Sequence, residues 1–384
     1  MPRIEEFNPE KALASGIWYH PDLPEDQVRA KMVEYLSNKA LADKRRAENW
    51  ARQNGMPVRE DLPGGGVSEI IRLEADGTPV YYTTNNVQLA KSLQTDLVRE
   101  TSPYSVNGSN GTGRFNIGEW DGGSARSTHG SLKGRVTQKE GTITLSDHST
   151  HVAGTMIASN FYPGLYGMAP SAAVLSYDFS NDVAEMTAEA QVSATIGAKV
   201  LVSNHSYGAN CGWVGNQYWG NWLELQDRKF GRYDNTSVLI DSLCFNSPYY
   251  QPFFSAGNDR NHAAPATGAT FQRLHATTGG VVFQNNAQPF NPATHPGSDF
   301  QNGGYDTIPT FSGSKNVITV GAVTDALDAA GNRSLAASST AQFSGWGPTD
   351  DGRIKPDIVA VGVNVLSASS SGDNTQTSMN GTSM

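Results

Sequence analysis

The sequence predicts an α/β protein, a mostly parallel sheet flanked by helices on both faces, with a small N-terminal α+β extension. Three observations carry this expectation. From residue 106 onward, apolar strand-like runs alternate with helix-like ones. Asp121 and Asn258 each stand just after such a run, where parallel sheets place their reactive residues. Before residue 106 the pattern changes to one long charge-rich amphipathic stretch followed by pieces broken by glycine and proline.

The elements follow in order. Pro24 to Asn54 places Val28, Met32, Tyr35, Leu36, Leu41 and Trp50 at helical spacings and reads as one helix. Pro57, Pro63 and Gly64-Gly65-Gly66 break it, and Ser68 to Leu73 and Val80 to Thr83 read as two short strands around an Asp76-Gly77 turn. Residues 1–105 are therefore an extension, either a pro-segment that is removed or an accessory subdomain that stays. The lack of a clear cleavage junction between Thr95 and Gly113 favours the accessory subdomain.

Residues 106–384 form the main domain. Arg114 to Trp120 is an apolar strand that delivers Asp121 at its end, and His151 to Ala158 continues His148 into a helix. Ala172 to Tyr177 and Lys199 to Asn204 are strand-like, with a helix from Ala184 to Ile196 between them. Residues 250–256 and 316–323 supply further strands. Asp259 to Pro309, rich in Asn, Gly, Thr and Gln and poor in periodicity, reads as a long insertion, a lid or a surface excursion.

Composition narrows the function classes. A hydrophobic fraction of 38% in 384 residues fills a sizeable core. A net charge of −9 and a pI near 5.4 leave no basic surface for phosphates, so nucleic acid is not expected as a partner. No apolar run approaches the roughly 18 to 20 residues that span a bilayer, and Met1 to Asn8 lacks the apolar segment of a secretory signal. Cys211 and Cys244 permit one disulfide or remain two buried thiols. The oligomeric state is not legible.

A serine hydroxyl becomes a useful nucleophile when an imidazole takes its proton and a carboxylate fixes that imidazole. Asp121, His148 and Ser383 occur in one of the chain orders known for this geometry. Each lies in a distinctive block: Ile117-Gly118-Glu119-Trp120-Asp121-Gly122-Gly123, His148-Ser149-Thr150-His151-Val152-Ala153-Gly154-Thr155 and Asn380-Gly381-Thr382-Ser383-Met384. Phe254-Ser255-Ala256-Gly257-Asn258-Asp259 and the run Phe343 to Pro348 with Lys355 to Ile358 complete the set. Taken singly these are turns, caps or loops. Together and in this order they resemble the subtilisin-like serine peptidases, the subtilase family, over roughly residues 106–384.

The resemblance implies a subtilisin-like fold and a serine endopeptidase that works through an acyl-enzyme. Ser383 would attack, His148 would act as base and then acid, and Asp121 would orient His148. Asn258 and the Ser383 N–H would bind the oxyanion. Ser206, Tyr207 and Gly208, with Ala256 and Gly257, would bind substrate as an added strand and flank its primary pocket. A polypeptide substrate and an extracellular or cell-envelope location follow from the family. No cofactor is required for the chemistry. Structural calcium is a family possibility, but no loop has a convincing ligand pattern, and no metal is assigned. His151, without the intervening Glu of a zinc helix, is expected to be structural, and His129 either lines the site or faces water.

The sequence also departs from the family. Ser149 replaces a glycine, Val361 stands where a proline is common, and the chain stops one residue after Ser383, where the family continues into a buried helix. The expectation is a peptidase domain incomplete at its C-terminus, with no more than trace activity in this 384-residue form. Two other readings remain open: a peptide ligase or macrocyclase on the same scaffold, and a noncatalytic binding module.

Overall fold

The computed structural model describes residues 7–61, 67–74, 77–84, 92–99, 104–109, 113–141, 144–159, 165–193, 199–224, 226–277, 280–328 and 333–384. The extension comprises α1 (Pro9–Ser15), α2 (Glu25–Gln53), β1 (Arg59–Asp61), β2 (Val67–Leu73), β3 (Pro79–Thr84) and α3 (Thr95–Arg99). Helix α2 changes partners along its 29 residues. Val28, Met32 and Leu36 join the main core, whereas Ala47, Trp50 and Ala51 pack with Ile70 of β2 and with Trp219. Leu41 falls between the two contacts and is exposed, against the single amphipathic face expected from sequence. The Gly64 to Gly66 break and Asp76 of the expected turn lie outside the described residues.

The main domain begins with β4 (Asn116–Asp121), β5 (Val136–Gln138), α4 (Asp147–Ile157), β6 (Ala173–Asp178) and α5 (Asp182–Glu189). Next come β7 (Val202–His205), β8 (Tyr207–Ala209), β9 (Trp213–Val214), β10 (Gln217–Tyr218), α6 (Asn235–Phe245) and β11 (Gln251–Ser255). It closes with β12 (Gln272–Thr277), β13 (Gly280–Asn285), β14 (Ile318–Val323), β15 (Ile358–Val361), β16 (Val365–Ala368) and β17 (Gln376–Met379). Seven strands form the central sheet in the order β15-β14-β11-β7-β4-β6-β5, and every neighbouring pair is parallel. The expected helix from Ala184 to Ile196 is shorter, because α5 ends at Glu189 and Gln191 N already bonds to Val200 O; residues 194–196 lie outside the described set.

Side-chain alternation puts helices on both faces of the sheet. Val174 of β6 packs with Ala153 and Ile157 of α4. Its neighbours Leu175 and Tyr177 pack in the core that also holds Met32 of α2, Met186 of α5 and Leu243 of α6. On that second face, Tyr177, Trp120, His205 and Phe254 stack across four adjacent strands, with ring centroids 4.6, 5.2 and 4.4 Å apart and planes within 12° of parallel. The stack locks the register of β6, β4, β7 and β11. The next residue on β4 is Asp121, on β7 Ser206 and on β11 Ser255, so their strand ends are aligned at one crevice.

The 259–309 segment is not the aperiodic excursion expected. It carries the antiparallel pair β12 and β13, which adds to β10 and β9 as a four-stranded sheet. Its core is aromatic, with Trp213, Tyr218, Phe271 and Phe290 buried together. Periodicity fails there because long polar side chains cover the rings; the Arg273 guanidinium lies 4.7 Å from the Trp222 ring centroid. Cys211 and Cys244 are separate, buried, free thiols.

Candidate active site

The Asp–His pair is built by one strand end and one helix start. The buried strand β4 ends at Asp121, whose Oδ1 accepts from Gly122 N at 2.7 Å. Gly123 then turns with φ +126, and a Cβ there would meet Thr144 O at 2.7 Å. Helix α4 is capped by Ser146, whose side chain accepts from Ser149 N at 3.1 Å. The helix therefore already includes His148 in its first turn. His148 Nδ1 lies 2.7 Å from Asp121 Oδ2 and 2.9 Å from Oδ1, and both side chains are fully buried. The carboxylate thus holds Nδ1 as the protonated nitrogen, leaving Nε2 to accept a proton.

Ser383 follows the β16–β17 hairpin, which rides on α4. Gly154 makes the close approach possible, since a Cβ there would lie 2.3 Å from Ser367 Oγ and 2.9 Å from Ala368 N. His151 Nε2 bonds to Val365 O at 3.1 Å, and Ser367 Oγ donates to His151 O at 2.7 Å. Burial lowers the His151 pKa to about 3, so it pins the hairpin as a neutral ring. His129 neither lines the crevice nor faces water: it is fully buried and its Nε2 bonds to Thr375 O at 2.9 Å. Arg126 adds an ion pair to Asp373 at 2.6 Å in the same turn.

The nucleophile is clamped from two sides. Thr382 N and Thr382 Oγ1 donate to Asn258 Oδ1 at 3.0 and 3.1 Å. Those two donors fix the orientation of the amide. Ser383 Oγ donates to Ser206 O at 3.3 Å, and Ser206 Oγ donates back to Ser383 O. Asn204 Nδ2 holds Ser206 Oγ at 2.7 Å. The structure therefore brings together Asp121 with His148, and Ser383 with Asn258 and Ser206.

Tyr207 contributes differently from expectation. Its side chain is fully buried in the core, with its hydroxyl donating to Asp182 Oδ2 at 2.8 Å, so it does not line a pocket. Its main-chain edge is also taken. Strand β3 of the extension pairs antiparallel with β8, matching Thr84 to Tyr207, Thr83 to Gly208 and Tyr82 to Ala209. Gly208 and Gly257 both face Pro309, and Ala256 directly precedes Gly257.

Sequence reasoning missed two residues. Arg59 of β1 donates to Gly122 O, directly after the catalytic-type aspartate, and pairs with Glu69 of β2, which also holds Lys44. Nothing local in the sequence marks this contact across 63 residues. Glu119 was legible, as a carboxylate in a buried strand two positions before Asp121. It is fully buried on the α4 face, and burial first, then the Asp121 charge, push its carboxyl well above the ordinary range. Neither its oxygens nor Ser149 Oγ meet hydrogen-bond geometry. The nearby hydroxyls of Ser176 and Ser149 and the Ala153 main chain only partly oppose the shift.

A parallel sheet with a buried Asp–His pair at a strand end is a framework on which serine hydrolases are built. The subtilase family model matches residues 15–384, nearly the whole chain, including most of the extension. The chain belongs to the subtilase family of serine peptidases. Among solved structures, it is similar to the prenylagaramide maturation protease PagA, at 18% identity and TM-score 0.36 over 70% of each chain. It is also similar to sphericase, at 17% identity and TM-score 0.42 over 76% of this chain and 78% of that one. No curated protein matches it.

Proposed function

We propose that this protein is a serine endopeptidase that hydrolyses peptide bonds through an acyl-enzyme. The observations that carry this reading are the buried His148–Asp121 bond, the Ser383 hydroxyl bonded to Ser206 O, and Asn258 Oδ1 holding the adjacent Thr382. Ser383 Oγ attacks the scissile carbonyl while His148 Nε2 takes its proton. Asn258 Nδ2 and the Ser383 N–H bind the oxyanion, and His148 returns the proton to the leaving amine. Water then repeats the cycle on the ester. Each step moves charge between groups of this chain, so the chemistry is written without a metal.

The family resemblance supports an extracellular or cell-envelope location. No helix among the described residues is long and apolar enough to cross a membrane. For residues 1–105, the pairing of β3 with Tyr207–Ala209 supports a pro-segment over a permanent accessory subdomain, because an incoming peptide meets that edge already occupied.

A small fluorophosphonate tests the proposal in the intact natural protein. It should modify Ser383 and no other serine, read by peptide mass spectrometry, and the labelling should vanish in His148→Ala. An adduct on another serine would show that Ser383 is not the nucleophile.

A further inference from the structure

We propose that Pro309 forms the floor of the primary substrate pocket and restricts the residue whose carbonyl is attacked to glycine, alanine or serine. This rests on the serine-peptidase reading and names the substrate class of that same site. The pocket is located by the reacting groups. Ser383 Oγ donates to Ser206 O and Asn258 Oδ1 accepts from the adjacent Thr382, so on the serine-peptidase reading the attacked carbon sits between Ser206 and Asn258. The side chain on the acyl side then enters the crevice between the continuations of two adjacent parallel strands, Ser206 to Gly208 after β7 and Ala256 to Asn258 after β11.

One ring already stands between those two walls. A Cβ on Gly257 would meet Pro309 Cδ at 2.6 Å and Cγ at 2.7 Å, and a Cβ on Gly208 would meet Pro309 Cγ at 3.5 Å and Cβ at 3.7 Å. The glycines that leave the walls bare thus open onto a proline instead of empty depth. Pro309 is itself buried.

The plug is rigidly seated. Thr307 N donates to Trp346 O at 2.7 Å, Gly231 N donates to Ile308 O at 2.8 Å, and Phe230 and Pro309 form an antiparallel bridge. Thr307 and Ile308 are fully buried on one side, and Thr310 Oγ1 donates to Arg232 O at 3.3 Å on the other. With its φ locked by the ring, Pro309 has no rotamer by which to withdraw. A leucine or phenylalanine would have to displace packed backbone.

The test is a peptide series, offered to the intact natural protein, that differs only at the residue before the scissile bond. Alanine, glycine and serine should exceed leucine, phenylalanine and lysine in kcat/KM by about 10- to 200-fold, the range that poor steric fit in a pocket supplies. Pro309→Gly should raise kcat/KM for leucine or phenylalanine at least about tenfold while changing alanine less than about threefold. Pro309→Ala, which removes the two atoms against Gly257 and leaves a less flexible backbone than glycine does, should act in the same direction if the glycine variant folds poorly. A wild-type preference for leucine, phenylalanine or lysine would overturn the proposal. So would an unchanged profile in both variants with native circular dichroism. Fluorophosphonate labelling separates the two layers: label at Ser383 with a large-residue preference defeats only the plug, whereas no label defeats the peptidase reading and the plug with it.

Discussion

The two halves of the active site are held by different means. Asp121 and His148 lie 27 residues apart, at the end of a sheet strand and in the first turn of a capped helix. Ser383 is held by side chains from far away in sequence, Asn258 at a separation of 124 residues from Thr382 and Ser206 at 177 from Ser383. The acid–base half is thus rigid wherever the sheet is intact. The nucleophile half depends on a few individual hydrogen bonds, each of which one substitution can remove.

That contrast is open to direct attack. The largest effect should come from Asp121→Asn, which keeps the shape of the rigid half but reverses the hydrogen bond to Nδ1 and so stabilises the wrong tautomer. A kcat loss of about 10⁴-fold is expected, with little change in melting temperature. A loss below about tenfold would mean that the aspartate does not set the tautomer.

Asn258→Ala should rank second, lowering kcat by about 10² to 10³ and leaving KM within about threefold, a size carried over from subtilisin itself. Because Asn258 Oδ1 also clamps Thr382, a companion variant sharpens the reading. Thr382→Val deletes the hydroxyl donor but keeps the N–H bond, and its kcat should fall less than about tenfold. Equal losses in the two variants would make Asn258 a clamp and not an oxyanion donor.

Glu119→Gln should have the smallest effect on turnover and a distinct effect on pH dependence. The folded carboxyl titrates above its unfolded value near 4.3, so in that interval the native state binds the extra proton. Stability therefore declines as pH rises from about 4.3 toward the folded pKa, and the isosteric amide removes that decline. Denaturant unfolding at a series of pH values reads the slope. Equal slopes in both proteins would show that Glu119 is charged in the fold.

Arg59 and strand β3 give the same lesson from the other end of the chain. Their residues form ordinary short strands, yet the fold carries one to the carbonyl beside Asp121 and the other onto the edge of Tyr207–Ala209. Such contacts leave no periodic trace, because few residues on each side take part and the intervening chain is free to vary.

The sequence by itself determined what local patterns encode. The Asp, His and Ser blocks, the strand before Asp121, the long helix from Glu25 to Gln53 and the parallel α/β class all follow from periodicity and motif order. Tertiary structure alone decided that Tyr207 turns into the core, that His129 and His151 brace a hairpin, that residues 272–277 and 280–285 pair into a sheet, and that Pro309 stands between Gly208 and Gly257. The physical reason is the range of the interactions. A helix or strand records its solvent-facing period along its own residues, whereas a pocket floor or an edge pairing exists only after distant segments have packed and displaced water between them.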